Sequence, residues 1–296
     1  MQPLSVTTYG KWILAGEHTV LRGGPALVFP VRSKSFHLNY LPAEKGLKLK
    51  FSGPYGEDFK LLVWGVLEQA LEVSGKKRVD LPGQLEIDSQ LPLGAGLGAS
   101  AALCVAIGRL WQYMGWISER EVYEFSRDLE NLFHGESSGV DIAVSVAGQG
   151  IRFMRGGEWT DVDMQWQPTW FLSYSGKRGM TSECVKKVKA LADRSPELLE
   201  KIDNEMSRAT DKAELALSLP EHEGLARLAM AIDRARDCFE QWGLIGRELS
   251  NHMRLLQENG ALAAKPTGSG GGGYVLSLWK KPPANLSDLP FELLPV

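Results

Sequence analysis

The chain has 296 residues, enough for one large or two ordinary domains, and its 44% hydrophobic and 23% charged content is that of a globular protein. A formal net charge of −3 without a basic run or stripe argues against a nucleic-acid or anionic-membrane binder. No run of about 18 apolar residues marks a membrane span, and the first residues carry no signal-peptide pattern. Three cysteines, Cys104, Cys184 and Cys238, are odd in number and lack metal-ligand spacing, which suits a reducing cytoplasm.

Near the N-terminus, apolar segments Trp12–Ala15 and Ala26–Val31 flank a polar turn with Gly16, Glu17, His18, Gly23 and Gly24, so a strand-turn-strand hairpin is predicted. Alternation at Phe36, Leu38 and Tyr40, then at Leu47, Leu49 and Phe51, predicts two more strands. Phe59, Leu62, Val63, Val66, Leu67 and Ala70 follow helical spacing, with Gly75 as the stop. A strand over Gln84–Leu91 feeds the stretch L-P-L-G-A-G-L-G-A-S-A-A-L, where Gly94, Gly96 and Gly98 alternate before a helix. A strand, a glycine loop and a helix start leave backbone N–H groups and the positive helix end facing an anion. The loop does not read G-x-x-x-x-G-K-[ST], so a matching positive charge must come from elsewhere.

Ser118 and Glu121 form a capping box, with Ile117 and Val122 placed as its hydrophobic staple. Val122, Phe125, Leu129 and Phe133 make the core stripe of the following helix, which Gly135 ends. The stretch H-G-E-S-S-G-V-D then reads as a loop starting a short helix. Short strands are expected over Ile151–Phe153, Trp159–Asp163 and Trp170–Tyr174. Helices follow over Thr181–Ala192, Pro196–Leu217, His222–Trp242 and Leu244–Glu258. Ala261–Lys265 and Tyr274–Leu278 look like paired strands around Gly268–Gly273, five glycines in six positions, and the proline-rich tail reads as irregular. A domain boundary is placed near Gly157.

Taken singly, the polar residues have bland readings: Lys11 as a surface lysine, Glu17 and His18 as turn residues, Glu130 as a solvated helix face, Asp141 as a helix cap. Together, Y-G-K-W-I-L-A-G-E-H-T-V-L-R-G-G-P-A-L, P-L-G-A-G-L-G-A-S-A-A, H-G-E-S-S-G-V-D and K-P-T-G-S-G-G-G-G-Y resemble the motifs of the GHMP kinases, in order along almost the whole chain. The first and third are most similar to mevalonate kinases. Trp12, Ala99 and Ser137 depart from the usual pattern, where a small aliphatic residue, a serine and a proline stand.

The resemblance implies an α+β, two-domain GHMP kinase fold with the active site in the cleft between. Residues 1–157 would be an N-terminal ATP-binding domain like the second domain of ribosomal protein S5, and residues 158–296 a ferredoxin-like C-terminal domain. It implies an ATP-dependent phosphotransferase acting on an alcohol, mevalonate first, with phosphomevalonate or a sugar as the alternative. A metabolite-sensing regulator without catalysis is the non-enzyme alternative.

By the same resemblance, Gly94, Ala95, Gly96, Leu97, Gly98, Ala99 and Ser100 would bind ATP. Ser100 and Glu130 would hold Mg²⁺, a hard cation suited to oxygen ligands. Asp141 would orient or deprotonate the acceptor hydroxyl, and Lys11 would pair with Asp141. Glu17, His18, Gly270 and Gly271 would bind the acceptor, with a cationic or donating His18 meeting a carboxylate. The basic loop Lys177–Thr181 would lie near the acceptor, with Arg178 or Thr181 in contact. The expected partners are ATP and a small acceptor in the cytoplasm, with no nucleic acid or membrane; a homodimer is left open.

Overall fold

The computed structural model describes residues 2–134, 138–283 and 289–296. It divides into two compact units, and the division is not a single cut near Gly157. The first comprises Pro30–Gln149 with the chain up to Lys11; the second comprises Trp12–Phe29 and Gly150–Val296. Two long strands, β1 (Leu4–Ala15) and β2 (Ala26–Pro42), pair with each other and contribute residues to both units.

In the first unit, residues 36–42 of β2 pair antiparallel with β4 (Gly83–Ser89), and β4 pairs in parallel with β3 (Leu47–Ser52). Burial alternates strictly along β4, the mark of a sheet with one covered face. Helices α1 (Lys60–Val73), α2 (Ala99–Tyr113), α3 (Val122–His134) and α4 (Val140–Ala147) complete the unit. Helix α2 is apolar nearly all round and packs against α1, α3 and α4, as a central buried helix must. Gly108 permits the close approach of α3, since a Cβ there would meet Ser126 Oγ at 2.5 Å. The capping box is present: the Ser118 N–H donates to Glu121 Oε2 at 2.7 Å, closing a 3-10 turn that leads into α3. The expected end of α3 at Gly135, the side chain of Phe133, and Ser137 lie outside the described residues.

The second unit adds β5 (Ile151–Met154), β6 (Glu158–Asp161), β7 (Thr169–Tyr174), β8 (Ala263–Pro266), β9 (Tyr274–Trp279) and β10 (Leu294–Pro295). Its helices are α5 (Thr181–Arg194), α6 (Pro196–Leu217), α7 (Glu221–Gln241) and α8 (Arg247–Glu258). Residues 26–28 of β2 pair with β5, which pairs with β6; a separate antiparallel sheet runs β10-β7-β9-β8. Met206, Ala209, Phe239 and Trp242 build a core between α6 and α7. Trp12 stacks on Phe29 with centroids 4.9 Å apart and meets Trp170 edge-on, so the aromatic that departs from the family pattern is a core residue.

Three expectations are corrected. The strands expected at Ala26–Val31 and Phe36–Tyr40 are one 17-residue strand, and the polar run Arg32-Ser33-Lys34-Ser35 does not interrupt it. The tail is not wholly irregular: Leu294–Pro295 pair with Phe171 and Leu172 at a sheet edge, where a residue lacking an N–H is tolerated. Helix α8 begins at Arg247 rather than Leu244, because Gly243 (φ 69°) turns the chain and Gly246 is extended. Among the described residues no helix is long and apolar enough to cross a membrane.

Candidate active site

In the first unit, the turn between β4 and α2 needs its glycines: Gly94, Gly96 and Gly98 have φ of 70°, 85° and 72°. Gly98 is the N-cap of α2 and makes no side-chain cap, so the positive end of the helix faces out beside the glycine turn, where an anion is favoured. Leu97 is buried and its carbonyl accepts from the Lys11 N–H at 2.8 Å, which fastens the loop to β1. A Cβ at Gly98 would lie 2.8 Å from Lys11 Cγ and 3.5 Å from Asp141 Oδ2. The lysine and the aspartate therefore press directly on the loop.

Lys11 Nζ lies 3.3 Å from Asp141 Oδ2, with the side chains 10% and 25% exposed. Asp141 occupies the first turn of α4, whose N-cap Gly139 (φ 80°) leaves no room for a side chain against the Tyr123 hydroxyl. A lysine of β1 thus stands against the glycine loop, where the loop itself carries none. Glu130, on α3, is 2% exposed, so the solvated helix face considered for it is not where it lies. Burial, with the Glu130 charge adding to it, holds the Cys104 thiol well above its ordinary range. Ser100 is half-buried in the first turn of α2. A hydroxyl and a carboxylate are hard oxygen donors of the kind Mg²⁺ takes alongside phosphate oxygens, so the donor set fits that ion. Among the described residues, no cluster of three or more His, Cys, Asp or Glu side chains could hold a metal.

In the second unit, Gly268–Gly273 links β8 to β9, which pair as expected. A Cβ at Gly270 would come within 3.0 Å of Leu244 and the Phe239 ring; one at Gly271 would sit 2.9 Å from Cys184 Sγ. The Lys177–Gly179 segment interlocks with this loop: Gly273 N–H donates to the Lys177 carbonyl at 2.7 Å, and a Cβ at Gly179 would strike the Gly270 carbonyl at 2.6 Å. Thr181 Oγ1 lies 3.3 Å from Ser269 Oγ. Arg178 is exposed.

His18 departs from expectation. Its Nε2 faces the Ser269 carbonyl at 2.9 Å, and burial brings its pKa down to about 4. The ring is neutral at pH 7; with a carbonyl opposite, Nε2 carries the proton and Nδ1 is the acceptor. Of the two forms considered, cationic or donating, burial disfavours the cation, and the neutral ring's one donor is engaged by the Ser269 carbonyl. Glu17 is also not a solvated turn residue. Its Oε1 lies 2.5 Å from Lys265 Nζ, with side chains 2% and 0% exposed, so the carboxylate is committed to a buried ion pair. Lys265 was missed by sequence reasoning; the available signal was a lone lysine inside the otherwise apolar strand pattern of Ala261–Pro266.

A family profile described as GHMP kinases N terminal domain matches residues 62–149. A mevalonate kinase of Pyrococcus horikoshii is 32% identical, with 90% of this chain and 86% of that protein covered. Among solved structures, L. major mevalonate kinase in complex with R-mevalonate aligns with a TM-score of 0.79 at 24% identity, over 94% of this chain and 88% of that one. A Streptococcus pneumoniae phosphomevalonate kinase aligns with a TM-score of 0.77 at 15% identity and full coverage of both chains, so the fold alone does not select the acceptor. The sequence identity decides: this chain belongs to the mevalonate kinase family of the GHMP kinases.

Proposed function

We propose that this chain transfers the γ-phosphoryl group of ATP to the primary hydroxyl of mevalonate, giving 5-phosphomevalonate and ADP for isoprenoid biosynthesis. The observation that carries the reading is the Lys11–Asp141 pair set against the glycine turn at the N-terminus of α2. Phosphoryl transfer demands positioning and charge stabilisation more than covalent chemistry, and this arrangement supplies both.

The roles follow from the groups. Amides of Gly94–Ser100 hold the β- and γ-phosphates. Ser100 and Glu130 would hold Mg²⁺, which when bound neutralises the phosphate charge. Asp141 accepts the proton of the hydroxyl as its oxygen bonds to phosphorus and the bond to ADP breaks. Lys11 stabilises the Asp141 carboxylate and the negative charge beside it. His18 offers Nδ1 as a hydrogen-bond acceptor to an acceptor hydroxyl, rather than a cation to a carboxylate. Glu17 acts through the turn it anchors, and the backbone at Gly270 and Gly271 lets the acceptor approach closely. Three free, buried cysteines suit work in the cytoplasm.

The test is a product assay with purified protein, ATP and Mg²⁺ across mevalonate, phosphomevalonate, galactose and homoserine. Turnover of mevalonate alone is expected. Preference for another acceptor reassigns the substrate, and ATP binding without turnover on any of the four makes the chain a sensor.

A further inference from the structure

Among the described residues, His18 is the one non-glycine residue with positive φ (60°, ψ −42°). The Thr19 N–H donates to the Glu17 carbonyl at 2.6 Å, closing a three-residue turn centred on His18. This is a γ-turn of the positive-φ form, a rare and strained conformation that persists only when its surroundings over-determine it. Several contacts do so. The Gly16 carbonyl accepts from the Val20 N–H at 3.1 Å and the Thr19 hydroxyl at 3.0 Å. The imidazole meets Trp242 edge-on at 5.1 Å and donates to Ser269.

The residue before the turn's centre is fixed by Lys265. Its ammonium binds the Glu17 carboxylate, reaches the Ile13 carbonyl at 3.4 Å, and lies 5.2 Å from the centroid of Phe239. Phe239 also borders the His18 ring, at 6.1 Å, and Gly270. One cation thus ties together the end of β1, the turn, β8 and α7. Two charges taken wholly out of water are a poor source of stability, since apolar residues of similar volume commonly do as well or better. What the pair supplies is a fixed direction.

We propose that Lys265 is a positioning residue for acceptor binding: paired with Glu17, it holds His18 in the strained turn that presents the ring to the acceptor. The proposal rests on the mevalonate kinase reading for the identity of that acceptor.

The experiment compares wild type, Lys265→Met, Glu17→Gln and the double variant Lys265→Met/Glu17→Leu. The KM for mevalonate should rise about tenfold or more in each variant, equivalent to about 1.4 kcal/mol, while the KM for ATP changes less than about twofold. The Tm should fall in the single variants, which leave one buried group unmatched, and recover in the double. A mevalonate KM that recovers together with Tm in the double overturns the proposal, as does an unchanged KM in a folded single. If the singles do not fold, the double alone decides; a double that does not fold makes the pair a requirement of the fold and also overturns the proposal. If wild type is inert toward mevalonate, the substrate reading fails, and the His18 imidazole NMR resonances decide instead. Resonances displaced in the folded variants support positioning, and resonances identical to wild type refute it.

Discussion

Replacing Asp141 by asparagine keeps the shape of the side chain and removes its charge. In the folded protein this leaves Lys11 Nζ, on a side chain only 10% exposed, without the carboxylate oxygen 3.3 Å away. At an effective dielectric constant of about 20, the lost attraction is about 5 kcal/mol before desolvation is subtracted. Exposed ion pairs retain about 0.2–1 kcal/mol and removing one partner of a fully buried pair costs about 3–5 kcal/mol, so this partly buried pair should cost about 1–3 kcal/mol of stability. Loss of a positioned base should lower kcat by about 10²–10⁴, or about 2.7–5.5 kcal/mol on the barrier. ATP binding should survive, because Asp141 stands on α4 and the loop amides belong to the start of α2. The assay is steady-state turnover with mevalonate alongside nucleotide affinity from thermal shifts. If Lys11 works through Asp141, adding Lys11→Met should cost less than about tenfold further, since residues acting as a unit are not additive. Wild-type-like turnover in Asp141→Asn, or loss of ATP affinity as large as the loss of kcat, refutes the reasoning.

Gly98→Ala places a Cβ at φ 72° and 2.8 Å from Lys11 Cγ. The conformational cost alone is about 1–2 kcal/mol, and displacing the lysine should raise the KM for ATP and lower kcat together; an unchanged kcat refutes the contact. Glu130→Gln should raise the Mg²⁺ concentration for half-maximal turnover by about tenfold or more, with the Tm gain from Mg·ADP falling in parallel; an unaltered Mg²⁺ dependence removes Glu130 from the metal's ligands. Burial lowers His18 and His252 to about 4 from 6.5. Between those values the unfolded chain binds protons that the fold refuses, so stability present above about pH 6.5 is lost as pH falls towards 4. The slope is at most about 1.4 kcal/mol per pH unit for His18 and smaller for His252, whose charge solvent partly screens. Urea midpoints at pH 7, 5.5 and 4.5 should fall, less steeply in His252→Gln, and a flat series refutes the burial argument.

Local order was readable in the sequence because it is written in neighbouring residues. The Ser118–Glu121 box, helix α6 and the β8–β9 pair follow from capping chemistry, periodicity and glycine placement. The glycine loop was readable too, since positive φ at Gly94, Gly96 and Gly98 is something glycine accepts without penalty. What escaped was set by partners distant along the chain. Glu17 reads as a solvated turn residue until Lys265 is seen beside it, and His18 reads as equally able to be a cation or a neutral donor until its burial against Ser269 and Trp242 is known. The single strand β2 escaped for a related reason. The polar run Arg32-Ser33-Lys34-Ser35 reads as a break between two apolar segments, yet it stays extended within one strand.

The composition of the second unit bears on how the chain is made. Trp12–Phe29 belongs to that unit but emerges from the ribosome well before its partners, Trp170, Asp203 and finally Lys265. An N-terminal segment that folds early during synthesis is the ordinary case; here the segment bearing Glu17 must be held in waiting for 248 residues before its carboxylate meets its lysine. Closing that separation is costly in chain entropy and slow. The same order makes residues 150–296 an incomplete unit when expressed alone, without the segment that supplies Trp12, Phe29 and the first residues of β2 to the edge of β5.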